Sequence, residues 1–398
     1  MSVTTMVVLA GYAATVLAAF TRHRAFGVFA GVILALPVMI GLGLAPHLGL
    51  LGEAVPGLMG LMFLHFGSLV VRPKMRPTWM RVLVNWPGLW FASATMLAWP
   101  WALASLFGFT PYGAWIPFAL ATFGFVQSLR APEEIVDIRL DNARDAGDLA
   151  RWKDGHQPVP AGTRPLKIVQ ITDPHLGPFM SVERLQRICR RAIEREPDLI
   201  LITGDLMTME SHDLETVAKA IAPLAAFEGR VFACHGNHDH EAREVVRQAY
   251  AMTGVTLLVD ESVVVDTDAG PVQIVGHDFR WRERAAWLAR TSAEHPRVKG
   301  ATRIALLHDP GAFKHLPPGD SDLVLSGHTH GGQVGLLSLG LSGTFLSLVS
   351  SIPDHGPWAR GHDRLYVHRA QGHYGFPIRL GVPAENSMLR VWRSADAA

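Results

Sequence analysis

The stretch LKIVQITDPHLG, residues 166–177, decides the fold. Its first half, Leu166–Thr172, is a β-branched apolar run of strand length, set behind the Pro/Gly-rich segment Gly155–Pro165. Its second half places Asp173 and His175 just past the end of that strand. Working outward, the arrangement recurs four times. Leu199–Thr203 runs into Gly204-Asp205, Val231–Cys234 into GNHD (236–239), Arg303–Leu307 into His308, and Leu323–Leu325 into GHTH (327–330). Helical patterns fall between, at Val182–Arg195, Leu214–Phe227, Glu241–Met252 and Glu283–Ser292. Further strands are expected at Glu134–Leu140, Val255–Val259, Ser262–Thr267, Val272–Gly276, Leu365–His368 and Met388–Trp392. Strand–helix alternation followed by consecutive strands predicts an α/β layered sandwich. The polar clusters sit where α/β sheets place their ligands, beyond the carboxyl ends of strands.

The clusters hold one kind of chemistry. Asp173 and Asp205 offer carboxylates, His175, His308, His328 and His330 imidazoles, and Asn237 an amide oxygen, with His238 to spare. Imidazole and carboxylate together suit Mn, Fe, Zn, Co or Ni, and the missing thiolates argue against a structural zinc. Cys189 and Cys234 form no CxxC and cannot make a disulfide framework. Capping and turn chemistry would explain any one of these residues; it does not explain the set. So many ligands exceed the need of one ion and suit two divalent ions sharing a carboxylate, the arrangement that serves phosphoester hydrolysis.

The ordered blocks DPHLG, GD, GNHD, His308 and GHTHGGQ resemble the calcineurin-like metallophosphoesterases. The tail LYVHRAQGHYGFPIRLGVPAE, residues 365–385, is similar to that of the membrane-associated bacterial branch of this family. The resemblance covers residues 134–393. It implies a four-layer αββα sandwich with a dinuclear centre at one edge. Asp173, His175, Asp205 and His330 would bind one metal; Asp205 as the bridge, with Asn237, His308 and His328, would bind the other. A metal-bridging hydroxide would attack phosphorus, His238 would protonate the leaving oxygen or stabilise the charged transition state, and Asp239 would orient the His238 ring. His235 stands where the family usually has an apolar or small residue, and Ala384 replaces the proline common before Glu385. The Gly204-Asp205-Leu-Met-Thr block lacks the further aspartate of the protein phosphatases, which weakens that reading.

Composition adds a second unit. The chain has 398 residues, 49% of them hydrophobic and 18% charged, too long for one ordinary domain and too apolar for disorder. Residues 1–128 hold six Lys/Arg against one acidic residue, Glu53, whereas 16 of the 19 histidines lie beyond. No basic surface of the kind that binds nucleic acid is expected. Five apolar stretches, Val3–Phe20, Ala25–Leu44, Val55–Val71, Val82–Phe109 and Ala114–Leu129, read as about five transmembrane helices. Arg22-His23-Arg24 follows the first stretch rather than preceding it, so an uncleaved segment is expected rather than a signal peptide. The basic loops 21–24 and 72–81 and the start of the polar unit at Arg130 then face one side, the cytoplasm under the positive-inside rule. If Ala114–Leu129 does not cross, the polar unit lies on the other side. The expected division is 1–129 as membrane domain, 130–165 as a juxtamembrane linker that includes the first strand of the sandwich, and 166–394 as phosphoesterase domain.

These readings converge on a multi-pass protein of the bacterial inner membrane with a cytoplasmic phosphohydrolase domain. The lipid bilayer is its expected partner, and the expected substrate is a lipid-linked phosphoester or pyrophosphate. The alternatives are a phosphodiesterase on soluble or cyclic nucleotides, and a non-enzymatic receptor with a phosphatase-like binding domain. Among minor features, His235, His240 and His277 read as solvated loop histidines, and Cys234 as a buried strand-end thiol. Arg280-Trp281-Arg282-Glu283-Arg284 with Trp287 reads as a plain surface helix, the alternative being an interfacial or phosphate-contacting one. Leu336–Ser351 either lines a groove for an acyl or prenyl tail or packs in the sandwich.

Overall fold

The computed structural model describes residues 2–72, 74–140, 148–152, 164–208, 211–373 and 375–393. Most of the linker segment 141–163, with the Pro/Gly-rich stretch, therefore lies outside the described residues. The chain divides into two units, Met1–Leu129 with Met209–Ser211 and Tyr374–Leu380, and the remainder.

The first unit is helical: α1 (Val3–Arg22), α2 (Arg24–Leu44), α3 (Leu50–Val71), the short α4 (Thr78–Met80), α5 (Trp86–Leu97), α6 (Trp99–Leu106) and α7 (Ile116–Ser128). At 1.5 Å per residue, α1, α2 and α3 reach about 30 Å, a full hydrocarbon core. Three helices are thus long and apolar enough to cross a membrane, or four if the Thr78–Leu97 and Trp99–Leu106 pair, bent by 56°, is one span. The bend falls where Pro100 lacks an N–H and its ring clashes with the preceding turn. The fifth apolar stretch forms only the 13 residues of α7, about 20 Å. Val38, Met59, Met62, Phe91, Phe118 and Ala121 pack between the helices. Val7, Val32, Met39, Leu64 and Phe123 are left exposed, as lipid-facing residues would be.

The second unit contains thirteen strands among the described residues: β1 (Glu133–Arg139), β2 (Ala150–Arg151), β3 (Leu166–Ile171), β4 (Leu199–Ile202), β5 (Val231–Ala233), β6 (Thr256–Leu257), β7 (Glu261–Thr267), β8 (Gly270–Gly276), β9 (Thr302–Leu306), β10 (Leu323–Ser326), β11 (Gly356–Arg360), β12 (Asp363–Val367) and β13 (Asn386–Trp392). Its helices are α8 (Val182–Glu194), α9 (Leu214–Ile221), α10 (Arg243–Met252), α11 (Arg284–Glu294) and α12 (Phe345–Val349). One sheet runs β1-β13-β3-β4-β5-β6, the other β2-β11-β12-β10-β9-β8-β7. Side chains alternate across each strand, so one face of both sheets feeds a shared core of Leu166, Ile168, Leu199, Leu201, Ile304, Leu306, Leu323 and Leu325. The opposite face of the second sheet packs Ala305, Val324 and Leu365 against Trp287 and Leu288 of α11 and Phe313. Helices α8–α10 bury Leu185, Cys189, Val217, Val246 and Ala249. Helix, sheet, sheet and helix make four layers.

Strands β3, β4 and β5 are parallel, as are β9 and β10, so the clusters predicted at their ends emerge on one edge. The expected strand over Leu365–His368 begins earlier, at Asp363. Strand β11, a Gly-Pro-led run, escapes a pattern search because it pairs antiparallel beside the two-residue β2. Leu336–Ser351 does not pack in the sandwich: Leu336, Leu339, Leu341, Phe345, Leu348 and Val349 are exposed.

Candidate metal centre

Five of the seven expected ligands, Asp173, His175, Asp205, His328 and His330, have positive φ, from 47° to 66°. Only ten non-glycine residues among those described do so. Left-handed backbone costs roughly 1–2 kcal/mol per residue, and such strain gathers where side chains must be aimed. The adjoining glycines are required by space. A Cβ on Gly236 would lie 2.1 Å from Asp205 Oδ1, and one on Gly327 would lie 2.0 Å from Asp173 Oδ2.

The side chains converge in two buried triads, Asp173/His175/His330 and Asp205/His308/His328. In the first, His175 Nε2 lies 3.0 Å from His330 Nε2, and Asp173 Oδ1 lies 3.7 and 3.3 Å from them. In the second, His308 Nε2 lies 3.2 Å from His328 Nδ1 and 3.3 Å from Asp205 Oδ2. Ligands about 2.0–2.2 Å from a shared ion sit roughly 3 to 3.5 Å apart, so these separations of 3.0–3.7 Å are close to those of ligands gathered on one ion. Asp205 Oδ2 also lies 3.7 Å from His175 Nε2 and so faces both triads. Asn237 Oδ1 is buried and has no hydrogen-bond partner, as an amide ligand awaiting a cation would be.

The surroundings fix these groups. His308 Nδ1–H donates to Thr203 O at 2.7 Å, which leaves Nε2 to face the centre. Asp173 Oδ2 accepts from Thr172 Oγ1 at 2.6 Å and from the His328 N–H at 2.9 Å. Asp205 Oδ1 accepts from the His238 N–H at 2.8 Å, leaving Oδ2 free to be shared. Burial pulls the His308 pKa down, yet the Asp205 and Asp173 carboxylates outweigh it and raise it to about 10. A pocket that holds a proton so firmly is one that favours a cation. Burial and neighbouring imidazoles lower His175 to about 3 despite the same carboxylates, so it is neutral and able to ligate.

His238 lies beside the first triad, its ring centroid 5.3 Å from that of His175. The expectation that Asp239 orients this ring is corrected. Asp239 Oδ2 accepts from the N–H groups of Asp205 and Gly236, both at 2.8 Å, and Oδ1 from Leu206 N–H at 2.9 Å, so it ties the end of β4 to the end of β5. Glu241 Oε1 holds His238 Nδ1, at 2.7 Å. The chain turns through a 3₁₀ helix at Asp239–Ala242, where residues three apart eclipse, so His238 meets Glu241. Burial lowers the His238 pKa, but the Glu241 bond and the Asp205 charge raise it on balance.

His235 and His277 are likewise corrected: both are buried, not solvated. His235 Nδ1 and His240 Nε2 meet Asp278 Oδ1 at 3.0 and 2.9 Å. Cys234 is a buried thiol as expected. Trp287 is buried and donates to Asp260, with Arg280 over its ring and paired with Asp260, whereas Trp281 is exposed.

The family profile described as calcineurin-like phosphoesterase matches residues 166–332, a span that begins at β3 and ends at the GHTHGG loop. The chain carries a calcineurin-like phosphoesterase domain. Its similarity extends to an uncharacterized metallophosphoesterase of Campylobacter jejuni, 30% identical over 240 residues, 58% of this chain and 61% of that protein. The Escherichia coli phosphodiesterase YaeI is 28% identical over 233 residues, 57% of this chain and 82% of that one. A Bos taurus transmembrane protein with metallophosphoesterase domain is 29% identical over 258 residues, 58% of this chain and 54% of that one. The chain thus spans about three fifths of the length of the Campylobacter relative. The phosphoesterase domain belongs to a family that uses divalent metals, and among the described residues the triads Asp173/His175/His330 and Asp205/His308/His328 are the candidate sites that hold the expected ligands, beside a third group of the same residue types, His235/His240/Asp278.

Proposed function

We propose that the chain is a membrane-anchored, dinuclear metal-dependent phosphohydrolase that cleaves phosphoester or pyrophosphate bonds, with a lipid-linked phosphate as substrate. The observation that carries the reading is Asp205 Oδ2, within 3.3 Å of one triad's His308 and 3.7 Å of the other's His175. Asp173, His175, Asp205 and His330 would hold one divalent ion, and Asp205, Asn237, His308 and His328 the other. Two bound ions would acidify a water and neutralise phosphate oxygens. The residues of the chain do the rest. Asp173 and Asp205 balance the ionic charge, His308 is locked by Thr203, and His238, whose hold on a proton the Glu241 bond strengthens, is placed to give a proton to the leaving oxygen. Mn, Fe, Zn, Co and Ni all match this donor set.

The lipid-linked substrate is favoured because the same chain carries helices that match a bilayer, and tethering raises the local concentration of membrane-bound substrates. For topology, the reading takes the bent pair and α7 as the fourth and fifth crossings, with residues 1–129 in the membrane and residues 166–394 cytoplasmic beside an inner membrane. Arg22 supports it by donating from the end of α1 to Val71 O at 2.8 Å, so the two basic clusters share one end of the helical unit. A panel of lipid-embedded and soluble phosphoesters, offered to the full chain in nanodiscs with Mn²⁺, tests the substrate class. Preferred turnover of soluble nucleotides would replace the lipid reading, and metal binding without any turnover would reduce the domain to a binding module. A reporter fused after Arg393 tests the side: labelling from outside would overturn the five-crossing topology.

A further inference from the structure

We propose that residues 336–352 of the phosphoesterase domain form a docking surface that inserts into the headgroup and upper acyl region of a lipid leaflet. The inference rests on the membrane-anchored part of the function proposed above, and its second test rests also on the lipid-linked substrate.

Residues 331–353 contain no charged side chain. Within them Leu336, Leu339, Leu341, Phe345, Leu348, Val349 and Ile352 are exposed, Leu339 to 74% and Leu348 to 83%. A soluble surface of this kind would carry a standing cost in water; a contiguous apolar display marks a surface that is covered in use. The display is built rather than loose. A 3₁₀ turn at Leu337–Leu339 and a bridge between Gly335 and Thr344 fold the segment back on itself. Thr344 and Ser347 form a capping box that starts α12. Thr344 Oγ1 is anchored on the buried Asp354 carboxylate at 2.5 Å, and Asp354 is paired with Arg151. Thr344 and Ser347 are thereby satisfied at its base, while Leu336, Leu339, Leu341 and Leu348 are exposed.

The chemistry selects a lipid surface as occupant. The segment offers no charge to pair with a protein partner and none whose desolvation would oppose insertion. Ser338, Ser342, Ser347 and Ser350 are interspersed at a size and polarity suited to headgroups. The bilayer is also the apolar phase that α1, α2 and α3 are long and apolar enough to cross. Docking has a consequence for the site, because Thr329, between His328 and His330, donates to Asp354 O at 2.7 Å. The loop expected to supply two metal ligands is thus fastened to the base of the inserting segment.

Site-directed spin labelling of the full chain in nanodiscs of phosphatidylethanolamine and phosphatidylglycerol tests this. Both native cysteines are buried, so a nitroxide can be placed at Leu348→Cys alone, with Leu36→Cys in α2 as the lipid control and Glu294→Cys as the aqueous one. Docking predicts that the label at 348 is reached by oxygen and shielded from a water-soluble nickel chelate, as the label at 36 is. A label at 348 that behaves like 294, while 36 remains shielded, overturns the docking and leaves the anchored reading intact. A label at 36 that also behaves like 294 overturns both. Dipolar broadening between 348 labels of separate copies would assign the surface to self-association and overturn the proposal. As a second arm, Leu339→Ser with Leu348→Ser is expected to lower turnover of a lipid-embedded phosphoester about tenfold or more, with bis-p-nitrophenyl phosphate reporting that the centre is folded. Equal turnover of the lipid substrate by the variant contradicts docking.

Discussion

Gly236→Ala adds one methyl group beside the shared carboxylate. The new Cβ would stand 2.1 Å from Asp205 Oδ1, 2.4 Å from Asp205 N and 2.6 Å from Asp205 Cγ, whereas ordinary contact begins at 3.4 Å. Relief requires a movement of more than 1 Å by the carboxylate or by the strand ends on either side of it. Neither is cheap: Asp205 N–H and Gly236 N–H are both clamped by Asp239 Oδ2 at 2.8 Å, and Asp205 Oδ1 already accepts from His238 N–H. The shift therefore falls on Asp205 Oδ2, the atom aimed at both triads. Displacement of a reacting group by about 1 Å costs on the order of 10²-fold in rate. Gly343→Ala is the control, since nothing lies within 4 Å of its Cβ and its φ is not positive. The assay is turnover of bis-p-nitrophenyl phosphate by the full chain, together with metal content per chain. The expected result is a loss of about 10²-fold and of bound metal for Gly236→Ala, with Gly343→Ala unchanged. Wild-type turnover by Gly236→Ala would refute the placement of Asp205 as the bridge.

Glu241→Gln removes the group that raises the His238 pKa, so the protonated fraction of His238 at neutral pH should fall and the alkaline limb of the pH–rate profile should move to lower pH. An unmoved limb would show that His238 is not the acid. Burial raises the Asp278 carboxyl, but hydrogen bonds from His235 and His240 outweigh it and hold its pKa below the ordinary 3.8. A depressed carboxylate stabilises the fold above its unfolded value and loses that contribution as pH falls through the folded one. The melting temperature of Asp278→Asn should hence lie below wild type at neutral pH, with the gap closing below about pH 4; a gap independent of pH would contradict the assignment. Chelation should lower the melting temperature and abolish turnover, and Mn²⁺ should restore both. An ion at a hundredfold over its dissociation constant adds about 2.7 kcal/mol of stability. A melting temperature indifferent to chelator would argue against any metal at the triads.

The strand-end clusters were legible because each follows a short apolar run, and a run of that length with β-branched residues has few alternatives to a strand. Parallel pairing of β3, β4 and β5 then brings their ends together without further information. What the sequence hid depends on tertiary contact. His235 and His240 look like loop residues until Asp278, 43 and 38 positions away, closes on them. Glu241 was missed as the partner of His238, although an acidic residue three positions on in a turn was the available signal. The resemblance implied Asp239 as the orienter, but neighbouring side chains on a 3₁₀ turn diverge. The apolar Leu336–Ser351 reads equally as a groove for a lipid tail and as packing in the sandwich, and the contacts that decide between them, such as Thr344 on Asp354, lie outside any sequence pattern.

The claim beneath the whole account is that a single oxygen of Asp205 serves two ions. Electron paramagnetic resonance of the Mn²⁺-loaded full chain tests it most directly, because two Mn²⁺ ions joined by a shared carboxylate at roughly 3.5–4 Å are spin-coupled. The account predicts two Mn²⁺ per chain with a coupled multiline spectrum that Asp205→Asn abolishes. A six-line spectrum of isolated ions in the wild type, at whatever stoichiometry, would contradict it.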